Sequence, residues 1–281
     1  MRKEKFTVWR LPTYLVMAVW SLLVIFPLIW TLYSSFKTSR EFYADPWALP
    51  QSVAIGSANY AYAWSKANLA SNFVNSIITT STVVIALILL GAMAAYVIAR
   101  TPHYRPSSVI GNLFMFGMLV PMVFGILPTF LLLYNLRLLD TMSGLILTYI
   151  AYALPFTVFI LQSFLKTLPR ELEEAALIDG STMNRTFWTI IFPLARPGIL
   201  TVSIFNFVGH WNEYVMANTL IASENIRTIS LGLANLMKRT QYESNWGGMF
   251  AGIIIVTLPT ILIYALFQRG ITGGLTVGAV K

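Results

Sequence analysis

The sequence predicts an all-α, multi-pass membrane bundle of six transmembrane helices. Three observations predict it. Hydrophobic residues make up 57% of the 281-residue chain and charged residues only 11%, far from the composition of a soluble domain. Mean hydropathy is +0.69. Several apolar runs approach or exceed the roughly 20 residues that a helix needs to cross a bilayer, and an isolated strand in lipid would leave its backbone groups unpaired.

The expected spans are residues 13–36, 72–99, 109–134, 144–165, 198–220 and 246–268, within a single domain over 1–281. The basic stretch MRKEKFTVWR precedes the first. Its apolar run is long for a signal-peptide core and no small-residue cleavage site closes it, so an uncleaved first span is expected. Six spans put both termini on one side. Segments 1–10, 100–108, 166–197 and 269–281 hold twelve of the nineteen Lys and Arg residues, against seven in 37–71, 135–143 and 218–245. That bias predicts cytoplasmic termini, and with them a cytoplasmic loop at 166–197 and a cytoplasmic tail at 269–281.

Pro27, Pro121, Pro128, Pro155 and Pro259 fall inside the spans. Each removes a backbone donor and can kink its helix. The outer segment 37–71 carries Trp47, Tyr60, Tyr62 and Trp64. An aromatic belt at the membrane interface accounts for them; contact with an external partner is the other reading.

Composition also excludes. The net charge of +8 comes without a Lys/Arg-rich block or an aromatic RNA-binding motif, so no nucleic-acid partner is expected and the basic residues are assigned to topology. There is no cysteine, hence no disulfide framework or thiolate site. The two histidines, His103 and His210, are too far apart to suggest a metal site. No Ser-His-Asp order or GxSxG elbow points to a catalytic residue. No GxxxxGK[ST] loop is present to cradle a nucleotide.

The polar block ELEEAALIDG, residues 171–180, stands out in the long inner loop. Thr167 and Pro169 are plausible start signals. Glu171, Glu173 and Glu174 fall where a helix dipole favours negative charge, and Gly180 suits a left-handed terminator. About eleven residues, or roughly 16 Å, would be helical, too short to span a membrane. Ala175 and Ala176 would leave part of its surface small enough for close approach by another protein. STMNRTFWTIIFPLARPG then reads as a second helix stopped near Pro193, with Pro197 and Gly198 opening the fifth span.

A second polar cluster, His210-Trp211-Asn212-Glu213-Tyr214, lies within the fifth span, and Glu213 is the acidic residue placed in lipid. Such residues usually face a cavity or a partner. A hydrogen bond between helices, the lining of a solute pathway, and a proton relay all remain open.

Residues Glu174-Ala175-Ala176, Asp179-Gly180, Phe187, Ile190, Pro193-Leu194 and Pro197 match in order and spacing the "EAA" loop of ABC importer permeases. The likeness extends along nearly the whole chain. NSIITTSTVVIALILLGAMAAYVIAR, PFTVFILQSFLKTLPRELEEAALIDG, HWNEY and the C-terminal GLTVGAVK resemble the maltose-type carbohydrate permeases. The resemblance implies the type I importer architecture and a cell-membrane subunit that carries an oligosaccharide or related sugar. It implies coupling to an ATPase through Glu174, Ala175, Ala176, Asp179 and Gly180, and a tail contact through Gly274, Leu275, Thr276, Gly278 and Lys281. It also makes Trp211, Asn212, Glu213 and Tyr214 pathway candidates. The implied partners are a second homologous permease, two cytoplasmic ATPase subunits that bind ATP and Mg, and an extracytoplasmic solute-binding protein. This chain would itself hold no cofactor. The main alternative is a stand-alone proton-coupled or facilitative carrier; a non-transport membrane subunit is a third class.

Overall fold

The structure, a computed structural model, describes residues 11–277, with side chains through residue 267. Every regular element among the described residues is helical. In chain order these are α1 (Leu11–Ser34), α2 (Ser39–Ala44), α3 (Ala54–Ala61), α4 (Leu69–Arg100), α5 (Arg105–Leu119), α6 (Met122–Asn135) and α7 (Met142–Leu165). There follow α8 (Glu171–Ile178), α9 (Met183–Thr186), α10 (Phe192–Leu194), α11 (Arg196–Trp211), α12 (Val215–Leu220), α13 (Ile229–Glu243) and α14 (Trp246–Val277). Residues 62–66 and 187–191 form single π-helical turns.

Helices α1, α4 and α7 and the first 22 residues of α14 are each long and apolar enough to cross a membrane. Two bent pairs bring the count to six if each pair is one span. The first pair falls in the expected span 109–134, where Pro121 is among the prolines expected to kink a helix; the second bends at residue 195, just before the expected span 198–220. Helices α5 and α6 meet at 104°. The cause is Pro121, which caps α6 and pushes Val120 into an extended conformation (φ −81°, ψ 110°). Pro27, Pro128, Pro155 and Pro259 stay inside continuous helices. The segment 183–194 meets α11 at 72°. The fifth span then breaks again after Trp211, and α12 begins afresh at Val215. The last helix outruns its expected end at residue 268 and continues to Val277.

The described residues divide into two compact units, one formed by residues 11–70 with 233–257, the other by 71–232 with 258–277. The first is organised by aromatic rings and a buried lysine. Trp30 meets Phe250 edge-on at 5.1 Å, and Phe42 stacks on Trp246 at the same distance. Trp47 packs on Trp30 and Phe26 while staying 65% exposed. Tyr60 pairs with Ser35 through its hydroxyl, and Tyr62 donates to the Glu243 carboxylate. Lys37 is buried; its Nζ donates to the carbonyls of Asp45 (3.1 Å) and Pro46 (2.9 Å) and lies 5.2 Å from the Tyr33 ring centre. Asn59 Nδ2 ties the same turn by donating to Ser35 O and Lys37 O.

In the second unit, one apolar cluster joins Ala92, Ala95, Tyr96 and Ala99 of α4 to Leu161 and Leu165 of α7 and to Phe187 and Ile191 of the inner loop. The other joins Val83 and Leu87 of α4 to Leu145 and Tyr149 of α7 and to Met216, Ala217 and Leu220 of α12. Small residues let α4 approach closely where the inner loop packs, so the loop is part of the bundle rather than a flap on it.

Candidate functional site

The inner loop folds as the polar block dictates. Glu171, Glu173 and Glu174 occupy the first turn of α8, where their charge meets the positive end of the helix dipole. The helix has eight residues, shorter than expected, because residues 167–170 turn before it starts. Gly180 ends it at φ +77°. The Gly180 N–H donates to Leu177 O (3.0 Å) and the Ser181 N–H to Ala176 O (2.9 Å). This is a Schellman closure, which satisfies the last free carbonyls and needs the left-handed residue that glycine supplies. Thr182 then caps α9 by accepting from Arg185 N (3.3 Å). After the π turn, Pro193 sits in the first turn of α10 and Pro197 in that of α11.

The faces of α8 are distinct. Glu174, Ala175, Asp179 and Gly180 are exposed. Ala176, expected on the surface, is buried at 6% exposure, its methyl packed inside the chain. Two residues that sequence reading passed over form the tip: Leu177 is 57% and Ile178 87% exposed, with Met183 beside them in sequence at 65%. The available signal was an apolar pair at the C-terminal end of an otherwise acidic block. Glu173 turns the other way, toward α4, where its carboxylate meets Arg100 and Tyr96.

The cluster at 210–214 does not form one polar lining. Trp211 is 1% exposed, edge-on to Phe73 at 5.3 Å and stacked on Phe207 at 5.5 Å. Its carbonyl accepts from Ser230 Oγ (2.9 Å). Tyr214 packs against the second apolar cluster. The carboxylate of Glu213 accepts three hydrogen bonds: from Tyr149 Oη (2.5 Å), Met216 N (2.7 Å) and Ala217 N (3.1 Å). Glu213 therefore caps the free amides at the start of α12 and pins them to α7. His210 stacks on the Tyr149 ring at 4.8 Å. Asn212 is the exposed member; its Nδ2 donates to Val208 O (2.8 Å) and lies 3.3 Å from Thr260 Oγ1.

At the α6–α7 loop, Asp140 accepts from Ala222 N, Ser223 N and Ser223 Oγ. The Ser223 hydroxyl bond, followed by the backbone bonds, holds its carboxyl below the ordinary carboxylate range. Asn75 Nδ2 donates to Asn225 O and Arg227 O. Residues 222–227 are thus fastened at two points.

His103 stands without an acidic cluster, and no group of three or more metal-ligating side chains occurs among the described residues. Gly274, Leu275 and Thr276 lie in the last turns of α14. Gly278 and Lys281 lie outside the described residues.

Residues 87–272 match the family model described as binding-protein-dependent transport system inner membrane component. The chain is 39% identical over 269 residues to the diacetylchitobiose uptake system permease protein NgcG of Streptomyces coelicolor, covering 96% of this chain and 88% of that protein. It is 36% identical over 258 residues to the trehalose transport system permease protein SugB of Mycobacterium tuberculosis, covering 92% of each. Among solved structures, a chain of a bacterial ABC transporter involved in importing the acidic polysaccharide alginate superposes with a TM-score of 0.81 at 19% identity, over 94% of this chain and 98% of that one. At that identity the likeness is one of fold.

Proposed function

The chain belongs to the family of binding-protein-dependent transport system inner membrane components, and from that premise we propose that it is a permease subunit of an ATP-driven ABC importer for an oligosaccharide or related carbohydrate. It forms one half of the translocation pathway, and a second homologous permease forms the other. Both termini face the cytoplasm. Two ATPase subunits, which bind ATP and Mg, dock on the inner loop, and an extracytoplasmic solute-binding protein delivers the sugar. The tail residues Gly274, Leu275, Thr276, Gly278 and Lys281 reach toward the ATPases.

The observation that carries this reading is the form of α8. It is a short helix, closed at its C-terminal end by Gly180 and anchored through Ala176, with an apolar tip left in the open. Burying one Ile side chain contributes about 1.5–3 kcal/mol, so the tip at Ile178 favours a socket in another protein. Glu174, Ala175, Asp179 and Gly180 surround it as the docking surface. In the 210–214 segment, Asn212 is assigned to the pathway, while Trp211, Glu213 and Tyr214 hold the helix break that presents it. Non-helical backbone at membrane depth is tolerated where it lines a cavity or is buried in protein.

The test is reconstitution in liposomes. With the second permease, the ATPases and the binding protein present, uptake of a β-linked or α-linked disaccharide should require ATP. Uptake by this chain with no ATPase would establish the carrier instead.

A further inference from the structure

The resemblance gives the docking role to Glu174 and says nothing of its neighbour Glu173. The structure separates them. Glu174 is exposed, whereas Glu173 points back into the bundle. Its Oε1 accepts from Arg100 Nε at 2.6 Å, and the two side chains are 16% and 10% exposed. Its Oε2 lies 3.3 Å from the Tyr96 hydroxyl, which donates to it. Arg100 also donates through a terminal nitrogen to Leu168 O (3.3 Å), at the turn that leads into α8. Tyr96 and Arg100 are four residues apart on α4 and so lie on one face. The Tyr96 ring packs on Phe187 at 4.9 Å. The last turn of α4 therefore grips the inner loop before, within and after α8.

We propose that Arg100, with Tyr96 one turn before it, is a positioning pair that fastens α8 to α4 through Glu173, so that displacement of α8 by an ATPase is delivered to α4. This rests on the reading of α8 as the docking element. The physical argument is one of stiffness. A shielded charge-assisted bond resists sliding more than apolar contact does, because a small displacement leaves two shielded charges unpaired. Apolar packing of the loop also touches α7, but it can shift without such a penalty. Arg100 closes the C-terminal end of α4, where a cation is favoured by the helix dipole.

The absence of cysteine makes the test direct. Spin labels at Ala175→Cys on α8 and Ile85→Cys on α4, an exposed position about 22 Å along the helix from Arg100, report the distance between the two helices in the full complex. It is measured without nucleotide and with ATP and vanadate. In the wild-type background the distance should hold within about 2 Å, while the ATPase dimer closes. With Glu173→Gln it should shift or broaden by about a helical turn, 5 Å, on adding nucleotide. The charge swap Arg100→Glu with Glu173→Arg should restore the single narrow distance.

A nucleotide-dependent shift in the wild-type background overturns the proposal, whatever the variants do. So does an unchanged distance in Glu173→Gln, which would make packing alone sufficient. Should Glu173→Gln fail to accumulate, Tyr96→Phe keeps the ring on Phe187 and removes only the hydroxyl. It should broaden the distance by about 2 Å, and an unaltered distribution counts against the pair. If the ATPases do not assemble on the chain at all, the fault lies with the docking reading, not with this inference.

Discussion

Replacing Glu213 by Gln tests how the break in the fifth apolar segment is held. The carboxylate accepts from Tyr149 and Ala217 at Oε2 and from Met216 at Oε1. One amide orientation puts its carbonyl at Oε2 and keeps two acceptor contacts, and its NH2 then meets the Met216 N–H donor to donor, next to a fully buried side chain. In the other, the carbonyl keeps the Met216 bond, the Tyr149 hydroxyl turns to accept from the NH2, and the Ala217 N–H is the donor left opposed. An unpaired buried N–H costs about 1–3 kcal/mol, and two bonds weakened from charged to neutral lose about 0.5–1 kcal/mol each. The sum is about 2–5 kcal/mol of stability. The assay is unfolding of the detergent-solubilised chain by added dodecyl sulfate, followed by tryptophan fluorescence. Tyr149→Phe should cost about 1–2 kcal/mol. The double variant should lose at least about 1 kcal/mol less than the sum, since the two residues share one bond. If Glu213→Gln keeps its stability within about 0.5 kcal/mol while transport falls, the carboxylate acts in the pathway or in a proton relay, and the capping account is wrong.

Other outcomes follow from the same structure. Gly180→Ala meets no atom within 4 Å but must adopt φ +77°, costing about 1–2 kcal/mol locally; uptake per ATP hydrolysed should drop, and Gly180→Pro should drop it further. Glu174→Lys reverses an exposed charge at the start of α8, a loss of only about 0.3–1 kcal/mol, so membrane insertion should be normal while uptake and ATP hydrolysis part company. Lys37→Met should leave the Asp45 carbonyl without its donor and the Pro46 carbonyl with Trp30 Nε1 alone, and limited proteolysis between residues 38 and 50 should speed up. The folded-state pKa of Asp140 is depressed, so its contribution is complete above the ordinary carboxylate value of about 3.9 and is lost as pH falls below that value through the depressed one. Hydrogen exchange at Ala222 and Ser223 should accelerate in that acid window, and Asp140→Asn should show the acceleration already at neutral pH.

The helical membrane class was legible because it rests on composition and run length. The stop of α8 was legible too, since a glycine acts within a few bonds of where it stands; its start was not, because residues 167–170 turn before the helix begins. The two breaks differ in kind. Pro121 was visible as a kink, and only its size, 104°, needed the structure. The break after Trp211 has no proline. It is set by Glu213 reaching three and four residues ahead and by Tyr149 on another helix, a long-range arrangement that a run of apolar residues does not announce. For the same reason Ala176 was misjudged as surface and Ile178 was overlooked. One turn of helix has an inside and an outside, and its sequence alone does not orient them.

Cross-linking from Ala175→Cys, the sole thiol in the chain, addresses the central claim most directly. In native membranes holding the complete complex, a short bifunctional reagent should join it to an ATPase subunit, and the yield should change between nucleotide-free and ATP-bound states. Labelling of that thiol by an impermeant reagent from the outer side, or the lack of any adduct with an ATPase in both states, would contradict the account.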